Sequence, residues 1–202
     1  MIVALTGAGI SKESGIPTFQ DRDDIWDKLQ RTYAIFYPEK YIEVMRDFVN
    51  LAADKKPNDA HIALAEYNVP VLTMNIDALH EQAGTKTLIK MHGRLPTEEE
   101  LPYCNKLYNI PVLDGDVAPA YKDAYDMLDY MVAGDILLVI GASHSATISD
   151  MLRICATMKG VEVVEIQDSA STKVREFLEA NRDKLMDFEE RKADIDSKKE
   201  SF

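Results

Sequence analysis

Several features that mark particular protein classes are scarce in this sequence. Only two of the 202 residues are cysteines, Cys104 and Cys155. Two thiols are too few for a four-cysteine zinc site, and their separation does not match the spacing of metal ligands. No apolar run approaches the roughly 18 residues that a membrane-spanning helix needs. We therefore expect reduced thiols, no zinc and no membrane span.

Basic residues are also in short supply. The chain has 23 Lys and Arg against 35 Asp and Glu, which gives a formal net charge of −12. This charge repels nucleic acid phosphates and anionic membrane surfaces. The first residues form a short apolar run without the basic segment and cleavage site of a secretory signal. We expect a cytoplasmic protein that binds neither nucleic acid nor membrane.

The sequence contains apolar runs of strand length that alternate with amphipathic helical segments. The runs, rich in Val, Ile and Leu, cover residues 2–6, 69–74, 87–91, 135–140 and 161–166. The helical segments cover residues 38–55, 58–67 with Asn58 as N-cap, 121–133, 145–159 and 171–182. This alternation predicts an α/β fold, a doubly wound, Rossmann-like parallel sheet with helices on both faces. In such a sheet ligands bind beyond the carboxyl ends of the strands.

The domain boundaries follow from the same pattern. Residues 1–182 form a single predicted domain. The final segment, 183–202, is highly charged with few apolar anchors, so we expect a charged tail or solvated helix and assign it no function.

The first strand leads into the sequence GAGISKESGIPTFQDRDDIW, residues 7–26. Gly7, Ala8 and Gly9 allow a sharp turn and a close approach of the backbone to a pyrophosphate. Taken alone this triplet is a weak signal, because glycine turns also occur in sheets that bind no nucleotide. Lys12 moreover occupies the position of the third glycine in the dinucleotide-binding pattern.

Five segments in order along residues 1 to about 170 resemble the sirtuins, the NAD-dependent protein deacylases. They are the turn just described, KPNDAHIAL (56–64), TMNIDALHEQAG (73–84), IKMHG (89–93) and DILLVIGASHS (135–145). The resemblance implies a Rossmann-like fold, NAD as co-substrate, and an acyl-lysine protein or peptide as partner.

The resemblance also implies roles for individual residues. His92 is implied as the neutral base that accepts a proton from a ribose hydroxyl, and Asn75 and Asp77 as catalytic residues near the ribose and the nicotinamide carboxamide. From the residues alone, a lone histidine after a strand such as His92 is more often structural, and Asn75 or Asp77 can cap the helix in DALHEQAG. For Asn75 and Asp77 both roles can hold together.

The implied NAD-binding residues come from four parts of the chain. In Gly141–Ser143 a hydroxyl and free backbone N–H groups can hold the adenosine ribose and phosphate. Phe19 is implied to cover the nicotinamide pocket and Trp26 ends the matching segment, although each also fits a plain core aromatic. The full set is Gly7, Ala8, Gly9, Ser14, Phe19, Gln20, Trp26, Asn75, Ile76, Asp77, Gly141, Ala142, Ser143 and Gln167.

The sequence departs from the sirtuin pattern mainly where the peptide substrate binds. The cysteines of the zinc ribbon are absent, and residues 94–120 form a reduced insertion in its place. Its acidic run, residues 98–100, supplies oxygen ligands that suit Mg²⁺ or Ca²⁺ but is more often only solvated. Asp114 replaces an aromatic residue in the substrate-pairing strand, which opposes peptide binding unless Asp114 faces solvent. Gln20 and Met74 replace a family Arg and Gln.

Three functions therefore stay open at this point. The first is an NAD-dependent deacylase. The second is an NAD glycohydrolase or ADP-ribosyl transferase on the same core, and the third is a catalytically silent module that binds NAD or ADP-ribose. For the oligomeric state we expect a monomer or a weak dimer.

Overall fold

The protein is described by a computed structural model that covers residues 1–18, 25–144 and 146–199. Within these residues a parallel sheet has the strand order β3-β2-β1-β4-β5. The strands are β1 (Ile2–Thr6), β2 (Val71–Thr73), β3 (Leu88–Lys90), β4 (Ile136–Ile140) and β5 (Glu162–Ile166). Each lies inside a run predicted from sequence, so the doubly wound parallel sheet is confirmed.

The helices fill the connections between the strands. They are α1 (Ala8–Ser11), α2 (Ile25–Lys28), α3 (Arg31–Phe36), α4 (Pro38–Ala52), α5 (Asp59–Glu66), α6 (Leu79–Ala83), α7 (Ala120–Asp129), α8 (Thr147–Met158), α9 (Ala170–Ala180) and α10 (Phe188–Lys199). Short 3₁₀ helices span Lys12–Ser14, Leu101–Lys106 and Arg182–Lys184. The predicted cap of α5 is confirmed, because the Asn58 side chain accepts a hydrogen bond from the Ala60 N–H at 3.0 Å.

Alternating side chains of the central strands build two separate cores. Val3 and Leu5 of β1 pack with α7 and α8 on one face of the sheet. Ile2 and Ala4 pack with α5 and α9 on the other face. Because β1 and β4 are buried along their whole length, they read in the sequence as continuous apolar runs rather than as alternating ones.

A third core belongs to a small lobe, which we define as α3, α4 and residues 94–119. Tyr41 and Met45 of α4 pack there against Leu101, Cys104 and Leu113 of the insertion. The Cys104 thiol is free and fully buried, and Cys155 is also free. The reduced insertion is thus held by an apolar core of its own.

The charged C-terminal segment includes a helix that contacts the domain. Phe188 of α10 packs edge-on against Tyr130, with ring centroids 5.7 Å apart. Arg191 donates to the buried Asp135 carboxylate at 2.9 Å. These contacts attach α10 beside α7.

Across the residues that the structure describes, no helix is both long and apolar enough to cross a membrane.

The strand order reverses between β1 and β4, and the loops after these two strands touch backbone to backbone. Gly9 N–H donates to the Gly141 carbonyl at 2.9 Å, and Gly7 N–H donates to the Ile140 carbonyl at 3.0 Å. A Cβ on Gly9 would lie 2.5 Å from the Gly141 Cα, and one on Gly7 would lie 2.7 Å from the Ala142 Cα. The glycines are therefore required by the contact between the loops, whatever ligand binds nearby.

We expect Gly9→Ala to lower the melting temperature by about 2 to 10 °C, since overpacking typically costs about 1–3 kcal/mol. The sign of the change in melting temperature tests the loop contact. Gly9 does not have the positive φ that disfavours alanine, so backbone strain would not explain a loss of stability. Where space is available, alanine at such a position stabilises a protein by about 0.4–1 kcal/mol. Thermal unfolding followed by circular dichroism measures the effect, and a higher melting temperature would contradict the close loop contact.

Candidate active site

The site lies at the carboxyl ends of β1, β2 and β4, where the loops after these strands meet. Ser11 connects two of these loops: its hydroxyl donates to Asp77 Oδ2 at 2.9 Å and accepts from Asn75 Nδ2 at 3.1 Å. Ser11 is fully buried and Asn75 is 6% exposed. The two predicted catalytic residues of this loop are thus held together by a residue from the first turn.

The N-cap of α6 is Ala78 rather than Asn75 or Asp77, but Asp77 contacts the start of the helix. Its Oδ1 accepts the backbone N–H of Leu79, the first residue of α6, at 3.0 Å. Burial raises the pKa of Asp77, while the hydrogen bonds from Leu79 and Ser11 favour its charged form. Both carboxylate oxygens of Asp77 thus accept a hydrogen bond, one from Ser11 and one from the first residue of α6.

Asn58 fixes the end of the first turn. Its Nδ2 donates to the Ile10 carbonyl at 2.7 Å and to Ser14 Oγ at 3.0 Å. Ser14, predicted to contact NAD, is therefore already engaged by a residue that caps α5. This contact holds the first turn in place from below.

Two buried histidines extend the polar network under the site. Thr6 Oγ1 donates to Thr73 Oγ1 at 2.8 Å and lies 3.0 Å from His80 Nε2. The rings of His80 and His61 lie 4.8 Å apart. Burial lowers the pKa of His61 to about 4, and burial with the nearby His61 lowers that of His80 to about 3. Both histidines are neutral at pH 7.

The loop after β4 is anchored by side chains from α8 and β5. Arg153 Nη2 and Gln167 Nε2 both donate to the Ala142 carbonyl, at 2.7 and 3.1 Å. The Gly141 N–H is also committed, because it donates to the Ile166 carbonyl at 2.9 Å. Of the segment expected to offer backbone N–H groups to phosphate, Gly141 therefore contributes none, because the sheet itself uses this donor. Ser143 follows in the same loop and is half-buried.

His92 follows β3, next to the loop that carries Asn75. Its Nε2 lies 3.0 Å from the Tyr121 hydroxyl, and the nearby Met74 backbone favours the protonated form of the ring. Burial lowers the pKa of His92, which favours the neutral ring. Gly93 has φ +72, and a Cβ there would lie 2.0 Å from the Asn109 carbonyl oxygen. The turn after the histidine thus requires glycine.

Two of the NAD-binding residues predicted for the first loop, Phe19 and Gln20, lie outside the described residues. Trp26 lies on α2 with 52% of its surface exposed, so its interpretation as a plain core aromatic is wrong. Ile76 is half-buried, and its carbonyl accepts the Leu95 N–H at 3.1 Å.

The acidic run of the insertion forms a helix start rather than a metal site. Glu100 pairs with both terminal nitrogens of Arg94, at 2.6 and 2.8 Å, and accepts the Thr97 N–H at 2.9 Å. These contacts lower the pKa of Glu100 to about 2. Glu98 and Glu99 are exposed. Within residues 1–18, 25–144 and 146–199, no group of three or more His, Cys, Asp or Glu is placed to hold a metal ion.

An arginine organises the rest of the insertion. Arg31 binds Asp116 through two hydrogen bonds of 2.6 and 2.7 Å, and donates to the carbonyls of Asn105 and Leu107 at 3.0 and 2.8 Å. The side chains of Arg31 and Asp116 are only 10% and 1% exposed. One guanidinium therefore ties together two loops of the small lobe.

The strand expected to pair with a peptide is already paired on one side. Asp114 N–H donates to the Leu29 carbonyl at 2.9 Å, and the Asp114 carbonyl accepts the Arg31 N–H at 2.8 Å. The Asp114 side chain is exposed. The charge therefore faces solvent, and the objection that it would oppose peptide binding does not apply.

The sequence interpretation missed three residues that organise the site. Ser11 was present in the recognised first turn but was not chosen. Arg31 and Tyr121 carried no local signal, because their partners Asp116 and His92 are distant in the chain.

The comparisons with known proteins agree with this geometry. The profile of the Sir2 family matches residues 7–147. NAD-dependent protein deacylase 1 of Caldanaerobacter subterraneus subsp. tengcongensis is 32% identical, over 82% of this chain and 81% of that protein. An NAD-dependent protein deacylase of Pyrococcus furiosus is 31% identical, over 88% and 86% of the two chains. The crystal structure of a Sir2 homologue in complex with NAD superimposes with a TM-score of 0.75 at 25% identity, over 92% and 90% of the chains.

The buried histidines predict how the stability of the protein depends on pH. Both are neutral when folded and take up protons on unfolding below their unperturbed pKa of about 6.5. We therefore expect full stability above about pH 6.5 and a loss of roughly 2.7 kcal/mol per pH unit as the pH falls from there toward 5, about 1.4 for each histidine. Denaturant unfolding at several pH values measures this slope. The His61→Gln variant should lower this slope by about 1.4 kcal/mol per pH unit, and an equal slope in the variant and the wild type would contradict the assignment.

Proposed function

We propose that this chain, which belongs to the Sir2 family, is an NAD-dependent protein deacylase that releases nicotinamide and transfers the acyl group to ADP-ribose. The observation that carries the proposal is the convergence of two groups at neighbouring strand ends. One is the Ser11-linked pair of Asn75 and Asp77, and the other is the neutral His92 beside Met74. This arrangement places a carboxylate, an amide and a proton acceptor after the carboxyl ends of the paired strands β2 and β3.

The residues at the crevice fit NAD. Bound NAD supplies an electrophilic ribose carbon with nicotinamide as leaving group. The half-buried Asp77 carboxylate and the buried Asn75 amide are held in place before any ligand arrives, which favours binding without reorganisation. Small residues after β1 and β4 keep side chains away from the point where the loops meet.

Each catalytic residue has a proposed role that its chemistry supports. Asp77 accepts a hydrogen bond from the nicotinamide carboxamide, and Asn75 binds the ribose or a water molecule. His92 accepts the proton of a ribose hydroxyl, for which a neutral imidazole is required. The other proposed NAD contacts are Gly7, Ala8, Gly9, Ser14, Phe19, Gln20, Trp26, Ile76, Gly141, Ala142, Ser143 and Gln167.

The proposed second substrate is an acyl-lysine protein or peptide. Residues 111–119 belong to the small lobe, and the exposed Asp114 leaves this segment compatible with a peptide. The net charge of −12 supports an absence of nucleic acid partners. We further propose a monomer or weak dimer in the cytoplasm, a reducing compartment consistent with two free thiols.

The small lobe is proposed to work without zinc. Arg31 supplies the cross-links that a metal would otherwise provide, since it binds Asp116 and two backbone carbonyls of the insertion. The lobe also has its own apolar core around Tyr41 and Cys104. Together these contacts account for an ordered insertion with a single cysteine.

The function is tested by incubating the purified chain with NAD, with and without a mixed pool of acyl-lysine peptides. We expect nicotinamide and deacylated peptide to form together, and only when peptide is present. In the His92→Ala variant, deacylation should fall by at least about 100-fold, the usual contribution of a general base.

The alternative functions give different results in the same assay. Nicotinamide release without peptide would indicate a glycohydrolase or an ADP-ribosyl transferase. Tight NAD binding without any release would indicate a binding module. Unchanged deacylation in His92→Ala would refute the assigned role of His92.

The zinc-free lobe is tested with a chelator and with Arg31→Lys. We expect EDTA to leave the melting temperature unchanged. Arg31→Lys should destabilise the protein by about 1–3 kcal/mol, because lysine cannot reproduce the double contact with Asp116 and both carbonyl contacts. Arg94→Lys is the matched control: Arg94 is 43% exposed, so its ion pair with Glu100 should contribute less than about 1 kcal/mol. Loss of stability in EDTA would contradict the proposal.

A further inference from the structure

The proton acceptor of the proposed site already has a hydrogen-bond partner that no sequence pattern indicated. The hydroxyl of Tyr121 lies 3.0 Å from His92 Nε2, with the two rings 5.9 Å apart and inclined by 47°. Tyr121 is the second residue of α7 and is half-buried. The contact joins the histidine after β3 to a helix that begins 28 residues later.

The hydrogen-bond partners of the imidazole determine what Tyr121 can do. The Met74 backbone favours the protonated form of His92, which is the effect of an acceptor placed at a ring N–H. A neutral imidazole has one N–H and one acceptor nitrogen. With the N–H used at Met74, Nε2 is the acceptor and the Tyr121 hydroxyl is the donor.

The surroundings keep both groups neutral near pH 7. Burial raises the pKa of Tyr121 above its usual value, with a further contribution from Tyr125, and burial lowers that of His92. Lys90, the nearest charged residue along β3, is committed to Glu81 and to the Asp77 carbonyl. From α7 the titratable side chains on this side are Tyr121 and Tyr125, because Lys122, Asp123 and Asp126 are exposed. The phenol therefore meets His92 as a neutral O–H donor.

The single acceptor nitrogen creates a competition. A ribose hydroxyl that gives its proton to His92 must first donate a hydrogen bond to Nε2, and Nε2 has one lone pair. The Tyr121 hydroxyl and the ribose hydroxyl therefore cannot both occupy it.

We propose that Tyr121 is a positioning residue for His92: in the free enzyme its hydroxyl donates to Nε2 and holds the imidazole in the reactive orientation, and a ribose hydroxyl of bound NAD takes its place. The proposal rests on the proposed function, because it assumes that His92 is the proton acceptor. Before NAD binds, the Tyr121 hydroxyl makes the hydrogen bond to His92 Nε2 that the ribose hydroxyl makes afterwards.

The pH dependence of deacylation in Tyr121→Phe tests the proposal. The tyrosine hydroxyl stabilises the neutral imidazole, so its removal should make His92 easier to protonate and move the acid limb to higher pH. For kcat/KM of NAD, which reports the free enzyme, we expect a shift of about 0.4 to 1 pH unit, the equivalent of one neutral hydrogen bond. The acid limb of kcat, which reports the complex with substrate, should not move, because NAD has then displaced the hydroxyl.

Tyr125→Phe is the matched control. Tyr125 lies one turn further along α7 and packs against the core on that face of the sheet. This variant also removes one phenolic hydroxyl from α7, but it should leave both pH profiles unchanged. An equal acid limb of kcat/KM in Tyr121→Phe and wild type, or equal shifts in the two variants, would overturn the proposal.

An NMR titration of the His92 ring without NAD gives a readout that does not require activity. The pKa of His92 should rise by the same 0.4 to 1 unit in Tyr121→Phe and stay constant in Tyr125→Phe. Equal values in wild type and Tyr121→Phe would overturn the proposal even in an active enzyme. Failure of the proposed function would look different: no nicotinamide release by the wild type, which would remove the role of Tyr121 in turnover, while the titration still showed the contact.

Discussion

The contact between the loops after β1 and β4 is the constraint on which the rest of the site depends. Gly9 and Gly141 approach so closely that neither has room for a Cβ, and the Gly9 N–H and Gly141 carbonyl bond directly. This contact joins the loops at the point where the strand order reverses. It also fixes the first turn, which carries Ser11. Asn75 and Asp77, the proposed catalytic pair, both hydrogen-bond Ser11 and therefore depend on the same contact.

Below this contact the site is built from uncharged groups. Asn58 holds the first turn from the start of α5, and Thr6, His61 and His80 form a buried polar layer between the sheet and the helices. Neutral groups avoid the cost of burying unpaired charge, so the layer can be rigid at neutral pH. The Asp77 carboxylate adds a charged group at the crevice, next to this uncharged layer. This arrangement suits a site that binds a large, polar co-substrate without reorganising.

The sequence was informative where one residue's neighbours along the chain determine its role. The strands, the main helices and the Asn58 cap were predicted because periodicity and capping are local properties. The exposure of Trp26 and the hydrogen-bond partner of the Gly141 N–H could not be predicted from the sequence, because both depend on which elements meet in space. Arg31 and Tyr121 could not be found at all, since each acts on a residue from a distant segment and sits in an ordinary amphipathic helix. The roles assigned to His92, Asn75 and Asp77 came from a family resemblance, and they remain predictions that the geometry supports.

The central claim is that the crevice between the two loops binds NAD, and the melting temperature measured against NAD concentration tests it most directly. A ligand at 100 times its Kd stabilises the folded state by about 2.7 kcal/mol, which for a chain of this size is about 5 to 10 °C. We expect a rise of this order at millimolar NAD and a smaller one in Asp77→Ala. A melting temperature that does not change with NAD would contradict the account.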